Sequence, residues 1–221
     1  MKLLIKFPTR GRTLKFLNTL SKYRNLLSNN IDVTFLITMD SDDTDMNCEF
    51  VKEVLDQYKN VVYSYGNSKT KIDAVNADIN MITDWDILLL ASDDMIPKVK
   101  NYDEIIVSKM RHWFPDTDGV LWFNDGHQGD KLNTLSILGR KYYERFNYIY
   151  NPEYKSTWCD NEFMDVANIL GKQIYFPEII IKHEHPDVGF GERDNVHIGN
   201  MINEKHDMET YHKNKLKNFG L

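Results

Sequence analysis

Two hydrophobic rhythms take turns along the first half of the chain. Short, dominantly apolar runs at residues 3–7, 32–38, 61–65 and 87–90 predict strands. Between them, residues 13–28, 47–58 and 71–82 predict helices; in the second of these Phe50, Val51, Val54, Leu55 and Tyr58 recur on one helical face. The run 87–90 contains no polar residue, the pattern of a strand buried on both faces. Strands alternating with helices predict an α/β fold with a mostly parallel central sheet flanked by helices.

The second half is less regular. Residues 119–124, 135–138, 173–176 and 179–183 read as strands. Residues 158–170 read as a helix with Phe163, Val166, Ala167 and Leu170 on its apolar face and Gly171 as its C-cap. Beyond His185-Pro186-Asp187 the chain turns polar, with Gly189, Gly191 and Gly199, which predicts a loop and then a final helix. No repeat, low-complexity tract or linker interrupts the sequence, so residues 1–221 read as one domain.

Composition narrows the picture only a little. With 42% hydrophobic and 27% charged residues the chain is ordinary for a soluble globular protein. No apolar run approaches the ~20 residues of a membrane span, and the start, Met1 to Pro8, is too short in its apolar part for a signal peptide. The net charge of −6 argues against a general nucleic-acid binder, though not against a local basic groove. Cys48 and Cys159 fit no metal spacing and make no disulfide framework, which points to a reducing, cytoplasmic setting.

In open α/β sheets ligands bind outside the carboxyl ends of the strands, and four polar segments here follow predicted strands. Ser92-Asp93-Asp94 places two adjacent carboxylates after the run 87–90. Such a pair repels itself unless a cation or donor is present, and it suits Mg²⁺ or Mn²⁺ shared with phosphate oxygens; a turn or helix cap is the plainer alternative. In Pro8-Thr9-Arg10-Gly11-Arg12 the two arginines could hold a diphosphate, or be solvated in an ordinary turn. Asp40 could bond a base or ribose edge, although Asp42, Asp43 and Asp45 make a solvated turn an equal account. The polar loop from Gly66 leads to Lys71, which could neutralise phosphate, and Asn76, which could face a nucleotide.

Taken in order, Phe7-Pro8-Thr9-Arg10, Asp40, Gly66 to Asn76 with Ala74-Val75-Asn76, and Leu90 to Asp94 resemble the family 2 glycosyltransferases of the GT-A fold. The resemblance covers most of residues 1–185. It implies a Rossmann-like central sheet with a nucleotide-sugar-binding half at 1–97, and an irregular acceptor-binding half with a lid at 98–221. Pro8, Thr9, Arg10, Arg12, Asp40, Lys71, Asn76, Ser92 and Asp93 then fall at nucleotide-binding positions. Where that family often has Asp-x-Asp-Asp, this chain has Ala91-Ser92-Asp93-Asp94, so a metal would rest on Asp93 or Asp94. In Trp158 to Phe163, Cys159 stands where similar enzymes carry a glutamate; Asp160 takes the catalytic-base position, with Glu162 in reserve. Helix capping is the plainer role for Asp160. His183 or His185 would be the further metal ligand, the two sharing a face if the strand continues; exposed strand-end histidines are the alternative.

The activity implied is metal-dependent transfer, with Mn²⁺ or Mg²⁺, of a sugar from a nucleotide-diphosphate donor, commonly a UDP-sugar, to an acceptor hydroxyl with inversion. The acceptor could be a glycan, a protein, a lipid carrier or a hydroxylated base in DNA. Residues 189–195 would close over the donor. Trp122 to Asp125 and the aromatic segment 142–150 would build the acceptor side, unless they are core. Two rivals stand beside this reading: a nucleotidyltransferase, for which Pro8 to Arg12 is a poor phosphate loop, and a non-catalytic carbohydrate-binding module on a decayed fold.

Overall fold

The computed structural model describes residues 1–184 and 202–221. Seven strands form the main sheet: β1 (Leu3–Pro8), β2 (Val33–Asp40), β3 (Val61–Gly66), β4 (Ile87–Leu90), β6 (Val120–Phe123), β7 (Ile137–Gly139) and β8 (Gln173–Phe176). Their order is β3-β2-β1-β4-β7-β6-β8. β1 pairs in parallel with both β2 and β4, β2 with β3, and β6 with β8; β7 alone runs antiparallel to its neighbours. Gly139 ends β7 where an added Cβ would lie 2.1 Å from the Thr117 carbonyl oxygen, so this crossing is open to glycine only.

Period-2 alternation gives the sheet two cores. Leu3, Ile5 and Phe7 of β1 face a cluster with Phe16, Tyr23, Tyr102 and Ile106, which come from α1 (Thr13–Asn25) and α4 (Tyr102–Trp113). Leu4 faces the opposite cluster with Leu88, Ile72, Val75, Tyr142 and Phe163. That side is built by α3 (Lys71–Asn76), α5 (Arg140–Glu144) and α6 (Cys159–Ile169); α2 (Glu49–Asp56) and α7 (Glu204–Leu216) complete the helices among the described residues.

The predicted sheet, its parallel first half and most elements are present, with three differences. β5 (Met95–Pro97), where no element was predicted, pairs antiparallel with β9 (Ile181–His183) in a separate two-stranded sheet. α4 lies in a stretch without a predicted element, because the β-branched run Ile105-Ile106-Val107 blurs its helical period. The helix predicted at 71–82 ends at Asn76, and a separate turn follows at Ile79–Met81.

That break has a physical cause in Lys6, which is fully buried in β1. Its Nζ donates to Thr38 Oγ1 and, at 2.8 Å, to the Ala77 carbonyl oxygen. Thr38 Oγ1 donates to Asp78 Oδ2 at 2.8 Å, and Ser64 Oγ donates to the same oxygen. Asp78 reaches inward from a left-handed backbone, φ 64°, that α3 cannot continue through. Burial pushes the Lys6 ammonium down to about 7, with Asp78 acting against it.

Because folding disfavours the protonated lysine, the folded chain binds fewer protons between pH 7 and the unfolded-state value of 10.5. Stability therefore rises with pH across that window. In Lys6→Met this component of the slope is expected to vanish from denaturant midpoints measured at pH 7, 8 and 9. The variant also leaves the Ala77 carbonyl and the Thr38 hydroxyl without their donor, at a cost of about 1–3 kcal/mol.

Candidate active site

The turns that follow β4 and β6 meet at β9. β4 passes through Ala91, whose N–H donates to the Lys6 carbonyl at 2.8 Å, and turns at Ser92–Asp94. The turn sends the two neighbouring carboxylates to different partners. Asp93 faces α1: Arg12 NH1 donates to its Oδ1 at 3.0 Å, Lys15 Nζ lies 3.2 Å from the same atom, and Thr19 Oγ1 holds its carbonyl at 3.0 Å. Asp94 faces β9, with Ser92 Oγ donating to Oδ1 and His183 Nε2 at 3.8 Å from Oδ2. The structure thus brings Asp94, and not Asp93, against a histidine. Separate partners relieve the repulsion expected of the pair.

β9 is placed by main-chain bonds on both sides. Met95 is the register partner of His183, Glu184 N donates to the Asp94 carbonyl at 2.7 Å, and His183 N donates to the Asp125 carbonyl at 2.8 Å. The His183 ring stands between two carboxylates, since Asp125 Oδ2 is 3.6 Å from Nδ1. Burial opposes its charge, but Asp125 and then Asp94 outweigh it and raise His183 to about 9. Burial likewise opposes the Asp94 anion, yet His183 and Ser92 hold that carboxyl far below the usual range; His183 and Thr134 do the same for Asp125.

Asp125, which the sequence places in the acceptor wall, stands beside His183. It follows β6 as Asp94 follows β4, so the strand-end rule could have found it.

Asp160 lies in the first turn of α6, which enters from Trp158 at φ 59°. Burial raises its carboxyl above the ordinary value; Lys71, the Asn161 amide and His183 act in the opposite direction. Lys71, at the start of α3, and His183 are therefore within electrostatic reach of this acid. The short α3 keeps its first turn through a complete capping box: Asp73 N donates to Thr70 Oγ1 at 3.1 Å, and Thr70 N to Asp73 Oδ2 at 3.0 Å.

Other expected site residues are engaged elsewhere. Arg10 donates to Asp40 Oδ2 at 2.8 Å and to both oxygens of Asp42 at 2.7 and 3.0 Å, while Ser68 N donates to Asp40 Oδ1 at 2.9 Å. Arg10 and Arg12 thus tie acidic loops together, instead of standing open for a diphosphate. Pro8 pairs with Thr38 in the β1–β2 register, and Thr9 N donates to the Thr38 carbonyl at 3.0 Å.

Asn76 does not face a nucleotide site. Its amide donates to the Tyr150 carbonyl at 2.7 Å and accepts from Ile149 N and Tyr150 N at 2.9 and 3.2 Å, filling a strand-like backbone slot. Glu162 is unsuited to a base role for a similar reason. It is buried, with Asn151 donating to Oε1 at 2.7 Å and Tyr154 OH and Asn214 donating to Oε2 at 2.6 and 3.1 Å. In the aromatic segment 142–150, Tyr142, Ile149 and Tyr150 are core. His185 and the lid at 189–195 lie outside the described residues.

A divalent cation fits the pair Asp94 and His183. Asp94 Oδ2 and His183 Nε2 lie 3.8 Å apart and are the two atoms that would hold it. One carboxylate oxygen and one imidazole nitrogen suit Mn²⁺ or Mg²⁺ completed by substrate phosphates. Among the described residues no group of three His, Cys, Asp or Glu side chains forms a metal cage.

No family model matches the sequence, and no curated protein sequence does. Solved structures do. A mannosyltransferase from Pyrobaculum calidifontis in complex with GDP-Man and Mn²⁺ superposes with a TM-score of 0.67 at 14% identity, over 86% of this chain and 58% of that one. S. aureus TarS in complex with UDP-GlcNAc gives 0.66 at 13% identity, over 89% and 60%. The fold is GT-A. A 4-diphosphocytidyl-2C-methyl-D-erythritol synthase from Anaerococcus prevotii also superposes, at 0.54 and 14% identity, over 85% of this chain and 92% of that one. The chain spans about three fifths of the length of the two GT-A transferases, and no helix among its described residues is long and apolar enough to cross a membrane.

The loop before α6 is fastened by α7. Asp207, fully buried, accepts from Lys155 N at 3.0 Å, Ser156 N at 2.8 Å and Thr157 N at 2.9 Å, clamping the loop that leads into Asp160. Asp207→Asn is expected to cost about 2 kcal/mol. Hydrogen exchange should report lost amide protection at residues 155–157, with protection in β1 and β4 unchanged.

Proposed function

We propose that this protein is a metal-dependent glycosyltransferase that moves a sugar from a nucleotide-diphosphate donor, a UDP-sugar by preference, to an acceptor hydroxyl with inversion. The observation that carries the reading is the meeting of Asp94, His183, Lys71 and Asp160 at the carboxyl edge of a GT-A sheet. Asp94 and His183 would hold Mn²⁺ or Mg²⁺, which would supply positive charge to offset that of the leaving diphosphate. Lys71 adds positive charge beside the same group. Asp40, fixed by Arg10 and Ser68 N, borders the nucleoside side. Asp160, made more basic by burial, accepts the acceptor hydroxyl's proton as that oxygen attacks opposite the leaving group. Single displacement of this kind inverts the anomeric centre.

A glycan or protein acceptor agrees with the net charge of −6 better than DNA does. The free cysteines Cys48 and Cys159 support a cytoplasmic setting. A second reading, a nucleotidyltransferase, draws on the 92% coverage of the diphosphocytidyl synthase. Against it, the β1–α1 loop places Arg10 and Arg12 on carboxylates and offers no glycine-rich cradle.

Calorimetric titration with UDP is expected to show binding that requires Mn²⁺ in the wild type and is lost in Asp94→Ala. Asp160→Asn should keep that binding while slow hydrolysis of the sugar donor falls about 10²–10⁴-fold. Silence toward UDP and other nucleoside diphosphates under all conditions would contradict the transferase reading. Pyrophosphate release from CTP or UTP would favour the nucleotidyltransferase.

A further inference from the structure

His183 is held by more than a metal ligand requires. Its main-chain N–H is bonded to Asp125, and its ring has Asp94 on the Nε2 side and Asp125 on the Nδ1 side. Asp125 is 2% exposed, so its carboxylate is an interior group with fixed partners. Its Oδ1 accepts from His127 N at 2.8 Å, Gln128 N at 2.6 Å and Gly129 N at 3.4 Å; its Oδ2 accepts from Thr134 Oγ1 at 2.6 Å. The same Oδ2 lies 3.6 Å from His183 Nδ1.

We infer that Asp125 is a positioning residue for the metal centre: it takes the Nδ1–H of His183, fixing the tautomer and ring plane that present Nε2 beside Asp94 to a divalent cation. The inference rests on the metal-dependent reading above and extends it to a residue that touches neither cation nor substrate. Imidazole has two nitrogens, and only the one without a proton can bind a metal. A carboxylate on the far nitrogen selects that form, raises the ligand's basicity and stops the ring from turning. The anchor is rigid here, because three backbone N–H groups and a hydroxyl hold the same carboxylate. The 126–134 loop is thereby tied to the metal centre: His127, one of the amides bonded to Asp125, has its ring 6.2 Å from that of His183.

Mn²⁺ binding in the presence of UDP, read by electron paramagnetic resonance of the free ion, tests this without turnover. Asp125→Asn is expected to weaken Mn²⁺ binding 10–100-fold. In a His183→Ala background the same substitution should have no further effect, since the two side chains act as one unit. Asn124→Ala, which removes the loop's bond from Gly126 N at 2.8 Å and leaves every bond to the Asp125 carboxylate in place, should bind Mn²⁺ as the wild type does. Losses that add across the His183→Ala background, or an equal loss in Asn124→Ala, would mean that Asp125 acts only by holding its loop, and would overturn the inference. Unchanged binding in Asp125→Asn with a functional wild type overturns the inference alone. Absence of Mn²⁺ binding by the wild type overturns the metal-dependent reading together with it. If Asp125→Asn does not fold, the imidazole ¹⁵N shifts of Mg²⁺-loaded wild type decide: Nδ1 protonated is the expected result, and Nε2 protonated the contrary one.

Discussion

The short pairing of β5 with β9 is the constraint on which the site depends. β4 delivers Asp94 to the carboxyl edge of the sheet, but a lone carboxylate there is only a turn residue. β9 returns from a distant part of the chain and sets His183 in register with Met95, one residue beyond Asp94. Main-chain bonds to Asp94 and to Asp125 fix the strand from both sides. Three residues of strand are a weak element alone. Here they are held because the flanking carbonyls belong to turns already anchored by β4 and β6.

Around this centre the chain uses buried polar groups as fasteners. Asn76 holds the backbone at 149–150, Glu162 gathers Asn151, Tyr154 and Asn214, Asp207 clamps residues 155–157, and Lys6 fixes the end of α3 through Asp78. Each lies close in sequence or space to a group assigned to chemistry. Each is also satisfied by several partners, which is what makes burial of an amide or carboxylate tolerable. Asp94 and Asp160 differ from these in having fewer internal hydrogen-bond partners.

This difference explains what the sequence disclosed and what it hid. The strands β1 to β4 were legible because apolar runs between amphipathic helices leave few alternatives, and the strand-end rule then located Asp40, Asp94 and the loop before Lys71. Sequence could not divide labour between neighbours. Asp93 and Asp94 are adjacent and identical in kind, yet one is taken by Arg12 and Lys15 and the other by His183. Asp160 and Glu162 are two apart on one helix, yet only Glu162 is spent on packing contacts. These assignments follow from which partner arrives through space, and β5 with β9, too short to show a period, is how the decisive partner arrives.

Paramagnetic relaxation by Mn²⁺, mapped by NMR on the UDP-bound protein, tests the central claim most directly. The account predicts broadening centred on Asp94, Asp125 and His183, reaching Lys71 and Asp160, with the acidic loop at 42–45 spared. Broadening centred on that loop, or spread evenly over surface carboxylates, would contradict it.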